Sequence, residues 1–236
     1  MPVYQPRGVE YAIVSGRVSI VTDDGRKLPA YWSHPDMGGR FPAVAVIHDW
    51  WGITDIERHM AHLFAQMGYY VIIPDLFDGA VALTAQDALR LVEASAAGAY
   101  GAIDAALRVL ETHVRCNEMV AAVGLGMGGS LALEAALTRT DLEASVALYG
   151  FPQKYLGRFH EAKAPILAIF AGADAYIGAG VIAQFRRELG QSVVDHQIVV
   201  IDEAAHGFFN TQAEGASAQA WEAVVAFLEK HLRSSQ

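Results

Sequence analysis

The sequence predicts an α/β fold in which helices cover both faces of a doubly wound, mostly parallel β-sheet. Short apolar segments of strand length alternate with longer segments of helical periodicity along nearly the whole chain. The short segments are apolar at successive positions, a pattern typical of strands buried between two layers of helices. No internal repeat and no linker rich in proline, glycine or serine interrupts this alternation. We therefore expect a single domain over residues 1–236.

The chain opens with a predicted antiparallel hairpin. Residues 18–22 and 28–33 have strand character, and Asp23, Asp24 and Gly25 between them favour a turn. The remaining strands are predicted at 43–47, 69–73, 120–123, 144–148, 165–170 and 197–201. In a sheet of this kind, ligands and reacting groups lie beyond the C-terminal ends of the strands. The residues that follow each strand are therefore the candidates for function.

Helices are predicted where apolar residues recur every three or four positions. They cover residues 55–67, 85–112, 129–139, 179–189 and 217–233. Thr84 immediately precedes the second of these segments, and Asp87 follows it by three residues. This spacing predicts that Thr84 caps the N-terminus of that helix.

Composition argues against several classes of function. Hydrophobic residues make up 53% of the chain and charged residues 18%, which is enough for a sizeable core. The 26 acidic residues outnumber the 17 lysines and arginines, and the net charge of −9 argues against binding to nucleic acid or to an anionic membrane surface. The lone Cys116 excludes an intrachain disulfide. With no recognisable signal peptide and no apolar segment of membrane-spanning length, the sequence predicts a cytoplasmic protein.

The most informative segment is the glycine-rich turn that follows the predicted strand 120–123. Gly124, Gly126 and Gly129 fit the G-x-G-x-x-G pattern of dinucleotide-binding turns. Gly124 and Gly128 also fit the small residues that flank a nucleophile elbow, in which residue 126 is the nucleophile position. The flanking glycines of an elbow are needed because the strand and helix backbones come very close there.

Neighbouring residues favour the elbow. A dinucleotide site requires an acidic residue at the end of the next strand, and residues 147–150 contain none. On the elbow interpretation, the acid and the histidine of a catalytic triad follow the nucleophile in that order. Asp174 follows the predicted strand 165–170, and His206 follows the strand 197–201. A nucleotide-dependent oxidoreductase remains the less favoured alternative.

With these residues, the chain resembles the dienelactone hydrolase family of the α/β-hydrolase superfamily, from about Val18 to the final helix. Family members have a G-x-C-x-G-G elbow, an Asp after a late strand and a His in an A-G-H-type turn. The resemblance implies that Asp174 orients the histidine and that His206 is the base. It also implies that Asp49 takes the place of an early glutamate that controls the nucleophile. The family requires neither a metal nor an organic cofactor.

One departure from the family concerns the nucleophile, because Gly126 stands where the family has cysteine. Without a thiol or hydroxyl, no covalent acyl-enzyme can form. Ser130 lies a full turn into the predicted helix, and Cys116 is expected at the other end of the sheet. An engineered deletion and a natural altered member both explain the glycine.

The resemblance also places the groups around the reacting carbonyl. The backbone N–H groups of Met127 and Trp50 are the expected oxyanion donors. The aromatic residues expected to contact the substrate are Trp51, Tyr149 and Phe208.

The expected substrate is a small neutral ester or lactone. The family holds an anionic lactone with arginines, one of them shortly after the catalytic histidine, whereas this chain has Asn210 there. His59 and His62 share a helix face, but no carboxylate at suitable spacing supports a metal site. We therefore expect a hydrolase of small carboxylic esters or lactones that is inactive or impaired, with a non-catalytic small-molecule-binding protein as the alternative.

Overall fold

A computed structural model of the chain describes residues 10–22, 24–209 and 214–233, without the side chain of Glu214. Within these residues, eight strands form one sheet in the order β1-β2-β4-β3-β5-β6-β7-β8. The strands are β1 (Ile13–Val21), β2 (Lys27–Pro35), β3 (Phe41–Ile47), β4 (Tyr70–Pro74), β5 (Cys116–Leu125), β6 (Ala144–Leu148), β7 (Ile166–Ala171) and β8 (His196–Ile201).

The pairing of the strands confirms the predicted fold class. Strand β2 pairs antiparallel with both β1 and β4, so the predicted hairpin is present, although Asp23 of its turn lies outside the described residues. The pairs β3–β4, β6–β7 and β7–β8 are parallel. Strands β3 to β7 are almost entirely buried, as expected for strands that are apolar on both faces.

Six α-helices are described where the sequence predicts five. They are α1 (Asp55–Gln66), α2 (Ala85–Ser95), α3 (Ala99–Thr112), α4 (Met127–Thr138), α5 (Ala179–Leu189) and α6 (Glu214–Leu232). The prediction of one helix over 85–112 is wrong, because the chain breaks at Gly98, which is the N-cap of α3. Glycine weakens a helix interior, so this position is a natural break. The predicted cap at Thr84 is confirmed, since its hydroxyl accepts the Asp87 N–H at 3.2 Å.

The described residues form two compact units, an N-terminal unit that ends at Ala122 and a C-terminal unit that begins at Val123, and this boundary falls within β5. Within the N-terminal unit, α1 begins at a capping box formed by Thr54 and Glu57. Within the C-terminal unit, α4 packs on β6, and Ser145 donates its hydroxyl to the carbonyl of Ala132 at 2.7 Å. The single domain over residues 1–236 stays a prediction. No helix in the described part of the chain is long and apolar enough to cross a membrane.

Candidate active site

Asp174 and His206 form a hydrogen-bonded pair in the C-terminal unit. Strand β7 ends just before Asp174 and β8 ends just before His206, and the Ala173 N–H donates to the Ala204 carbonyl at 2.9 Å, which joins the two loops. The Oδ2 atom of Asp174 lies 2.8 Å from Nδ1 of His206. The Asp174 side chain has no exposed surface, whereas the His206 side chain is 18% exposed.

The second carboxylate oxygen of Asp174 fixes the orientation of the acid. Oδ1 accepts the backbone N–H groups of Tyr176 at 2.8 Å and Ile177 at 3.0 Å. The carboxylate therefore has one oxygen bound to its own loop and the other directed at the imidazole. A carboxylate only accepts hydrogen bonds, so Nδ1 of His206 carries a proton, and in the neutral imidazole the lone pair is on Nε2.

The backbone makes a sharp turn at Gly126, between β5 and α4. Its φ of 50° and ψ of −112° lie in a region that residues with a side chain rarely adopt. Helix α4 begins at the next residue, Met127. A Cβ on Gly124 would lie 2.0 Å from the carbonyl oxygen of Gly128. This confirms the expected close approach of strand and helix.

Ser130 connects the elbow to the turn that follows β6. Its hydroxyl donates to the Gly126 carbonyl at 3.3 Å and accepts the Phe151 N–H at 2.9 Å. The Gly126 N–H in turn donates to the carbonyl of Leu148 at 2.9 Å. Residues 148–151 are thus bound to the elbow on one side, and their aromatic rings contact His206 on the other.

Three aromatic rings surround the His206 imidazole. The ring centroids of Tyr149, Phe151 and Tyr176 lie 5.2, 5.0 and 5.1 Å from it. Phe208 packs on Tyr149 at 5.2 Å, and both of these side chains are fully buried. In this structure Tyr149 and Phe208 support the imidazole from within the core, and their contact with substrate stays a prediction. Asn210, the predicted departure from the family arginine, lies outside the described residues.

Sequence reasoning missed Ser130 as a connecting residue, as well as Phe151 and Tyr176. Their positions in the sequence could have indicated both aromatic residues. Phe151 follows the turn glycine after β6, and Tyr176 follows Asp174 by two residues. An aromatic residue close to a predicted catalytic group is a candidate wall of the site.

In the N-terminal unit, Asp49 follows β3 and is 5% exposed. Its Oδ1 atom accepts the N–H of Trp50 at 2.7 Å. The predicted oxyanion donor Trp50 therefore gives its N–H to Asp49 in this structure, and it is available to a substrate only when that carboxylate turns away. The rings of Trp50 and Trp51 pack edge to face at 5.1 Å.

The buried His48 is a structural residue. Its Nε2 atom accepts the Leu76 N–H at 3.1 Å, so its Nδ1 atom carries the proton and donates to the Asp49 carbonyl at 2.7 Å. Burial lowers the pKa of His48, which keeps the ring neutral. His48 thus holds the backbone of Asp49 rather than its carboxylate.

The other candidate sites have weaker support. His62 lies with Nε2 2.7 Å from the hydroxyl of Tyr31, and burial lowers its pKa, so it packs against the sheet. Among the described residues, no group of three or more His, Cys, Asp or Glu side chains is placed to hold a metal ion. Strand β6 is followed by Tyr149 and Gly150, without the acidic residue that a dinucleotide site requires.

Cys116 lies far along the strand from residue 126. It is the first residue of β5, while Gly126 follows the last residue of the same strand, and its side chain is fully buried. Burial raises the pKa of its thiol to about 12.

We expect Cys116 in the folded protein to resist 5,5′-dithiobis(2-nitrobenzoic acid) at pH 8. A pKa of about 12 leaves about 10³-fold less thiolate than an ordinary cysteine has, and burial excludes the reagent. Labelling is followed by absorbance, with the denatured protein as the fully reactive control. Rapid labelling of one thiol per folded chain would contradict this placement.

Known proteins are similar to this chain over most of its length. Residues 28–232 match the model of the dienelactone hydrolase family. Protein usf of Aquifex pyrophilus is 28% identical over 223 residues, covering 89% of this chain and 96% of that protein. An Aquifex aeolicus protein assigned as a carboxymethylenebutenolidase is 26% identical over 89% of this chain and 96% of its own length. A Klebsiella pneumoniae crystal structure assigned as a dienelactone hydrolase has a TM-score of 0.82 at 25% identity, covering 93% of this chain and 99% of that one.

Proposed function

Because the chain belongs to the dienelactone hydrolase family, we propose that it acts on small carboxylic esters or lactones through Asp174 and His206. Glycine at residue 126 prevents the formation of a covalent acyl-enzyme. The observation that carries this proposal is the 2.8 Å bond between the two side chains. A protein that only binds a ligand has no need of a buried carboxylate that fixes the tautomer of a partly exposed histidine.

The elbow supports the same proposal. Gly126, with φ 50° and ψ −112°, lies at a strained strand-to-helix turn of the kind that carries the nucleophile in an elbow, although it has no side chain. The N–H groups at the start of α4, beginning with Met127, are the proposed oxyanion donors. Trp50 is the proposed second donor, subject to release of its N–H by Asp49.

For the substrate, we propose a neutral ester or lactone. The carboxymethylenebutenolidase name of one relative indicates a lactone that carries a carboxylate. A bidentate clamp on that carboxylate requires arginine, and this chain has asparagine at residue 210. Trp51 in the N-terminal unit, and Tyr149 with Phe208 in the C-terminal unit, are the proposed aromatic contacts.

Restoring the nucleophile tests the proposal. We expect Gly126→Cys and Gly126→Ser to give a burst of p-nitrophenol from p-nitrophenyl acetate, stoichiometric with enzyme, because an acyl-enzyme then accumulates. The burst is measured by stopped-flow absorbance, and the same variants with His206→Ala are the control. If neither variant releases p-nitrophenol faster than the parent chain, the site is not an acyl-transfer site of this kind.

The second candidate is a small-molecule-binding protein on the same fold, which the glycine at residue 126 itself favours. A pure binder would hold lactones equally well with and without His206, and it would gain no turnover from cysteine at residue 126. Equilibrium dialysis with a neutral lactone on the parent and on His206→Ala distinguishes the two functions.

A further inference from the structure

We propose that the Asp174–His206 pair of the chain hydrolyses activated esters in one step, by directing a water molecule at the carbonyl, while residue 126 has no side chain that could attack it. The inference rests on the proposed function, because it uses the same acid and base. It goes beyond that function by assigning an activity to the chain as it stands and by naming the substrates it takes.

The first step of the argument concerns the base. Nδ1 of His206 is bound to Asp174, whereas Nε2 has no hydrogen-bond partner within the described residues. The side chain is 18% exposed, so a small molecule from solvent can reach it. A neutral imidazole that is oriented by a buried carboxylate and has a free lone pair is the requirement for general-base catalysis.

The second step concerns residue 126, which offers no competing nucleophile. Gly126 forms the sharp turn between β5 and α4 and has no side chain that could attack a carbonyl. Its amide and carbonyl are bound to Leu148 and Ser130, which keeps the turn in place without a side chain. Tyr149 and Phe151, in the turn that follows β6, contact the imidazole. The turn that carries Gly126 is therefore held by the same segment, residues 148–151, whose rings contact the imidazole.

The third step concerns the charge that develops on the base. As the water oxygen bonds to the carbonyl carbon, Nε2 takes one water proton and the imidazole becomes a cation. The fully buried Asp174 carboxylate stabilises that cation, and the rings of Tyr149, Phe151 and Tyr176, at 5.0–5.2 Å, surround it. The electron pair of the carbonyl moves to its oxygen, opposite the N–H groups at the start of α4.

The remaining step completes the balance of atoms. The tetrahedral intermediate collapses, the carbon–oxygen bond to the leaving group breaks, and Nε2 returns its proton to the departing oxygen. The products are a carboxylic acid and an alcohol, and the protein is unchanged. No bond between the protein and the acyl group forms at any stage.

This route restricts the substrate. Water is a weaker nucleophile than a cysteine thiolate, so its attack requires a carbonyl activated by a weakly basic leaving oxygen. A phenol has a pKa near ~10, whereas an alkyl alcohol is close to water at ~15.7. Aryl esters, and lactones closed through an equally acidic hydroxyl, are therefore the substrate class, and simple alkyl esters are not.

A series of aryl acetates with leaving phenols of different pKa tests the inference. The parent chain should release each phenol linearly, without a burst, and kcat should fall as the phenol becomes more basic. In Gly126→Cys every acetate forms the same acyl-enzyme, so kcat should vary little across the series. Intact-protein mass spectrometry during turnover should detect an acetyl adduct on the variant and none on the parent.

The controls separate this activity from contamination and from folding effects. His206→Ala and His206→Gln, purified in parallel, should lower kcat/KM of the parent by about 10²-fold or more. Gly101→Ala, in open space on α3, should leave it unchanged. Parent rates no higher than those of the His206 variants, or an acetyl adduct on the parent, would overturn the inference. If Gly126→Cys nevertheless shows its burst, the proposed function stands alone; if both fail, the proposed function fails as well.

Discussion

Asp174→Asn is expected to lower kcat/KM of the Gly126→Cys variant for p-nitrophenyl acetate by about 10³- to 10⁴-fold, the scale of the same change in a serine-protease triad. The cause is the tautomer of His206. Oδ1 of Asp174 accepts two backbone N–H groups, so the amide oxygen of asparagine takes that position. Its NH₂ group then faces Nδ1, which must accept, and the ring proton moves to Nε2. The base has lost the lone pair that the nucleophile needs.

Initial rates of the two variants, with matched thermal melts, measure this effect. The loop that follows β7 keeps both of its hydrogen bonds in Asp174→Asn, so we expect the melting temperature to change little. Asp202→Asn is the matched control, because Asp202 is an exposed acid that directly follows β8. A loss of less than tenfold, or an equal loss in the control, would show that Asp174 does not orient His206.

The order of the site residues along the chain was predictable because each follows a buried strand. Gly126, Asp174 and His206 were found by locating apolar segments and reading the residues after them, and β5, β7 and β8 confirm those segments. The close approach of the strand and helix backbones at Gly124 was also predictable, because a strand–turn–helix junction requires glycine where the two backbones meet.

The contacts between these residues were not predictable in the same way. Ser130 connects Gly126 to Phe151 through one hydroxyl group, although Phe151 lies 21 residues later in the sequence. The direction of that hydroxyl could not be read from the sequence. The hydrogen bond from the Trp50 N–H to Asp49 depends on the rotamer of the Asp49 side chain, which the pattern of apolar residues does not determine. The helix break at Gly98 was missed because the apolar spacing continues across it, and a single glycine is tolerated in many helices.

Gly124→Ala is expected to destabilise the protein by more than about 4 kcal/mol, or to prevent it from folding. The added Cβ would lie 2.0 Å from the oxygen and 2.2 Å from the carbon of the Gly128 carbonyl, and 2.6 Å from the nitrogen of Gly129. All three are backbone atoms in the first turn of α4, a helix that packs closely on β6. No side-chain rotation relieves such a contact, so the start of the helix has to move and buried packing is lost.

Thermal and urea unfolding measure this cost, with Gly101→Ala as the matched control. Gly101 lies inside α3 with no atom within 4 Å of its added Cβ, so alanine there should stabilise by about 0.5–1 kcal/mol through helix propensity. A loss of 4 kcal/mol corresponds to a fall in melting temperature of roughly 8–16 °C for a protein of this size. If Gly124→Ala melted within a few degrees of the parent, the strand and helix would not be held as closely as the elbow requires. Residue 126 would then lack the fixed backbone on which both the restored nucleophile and the directed water depend.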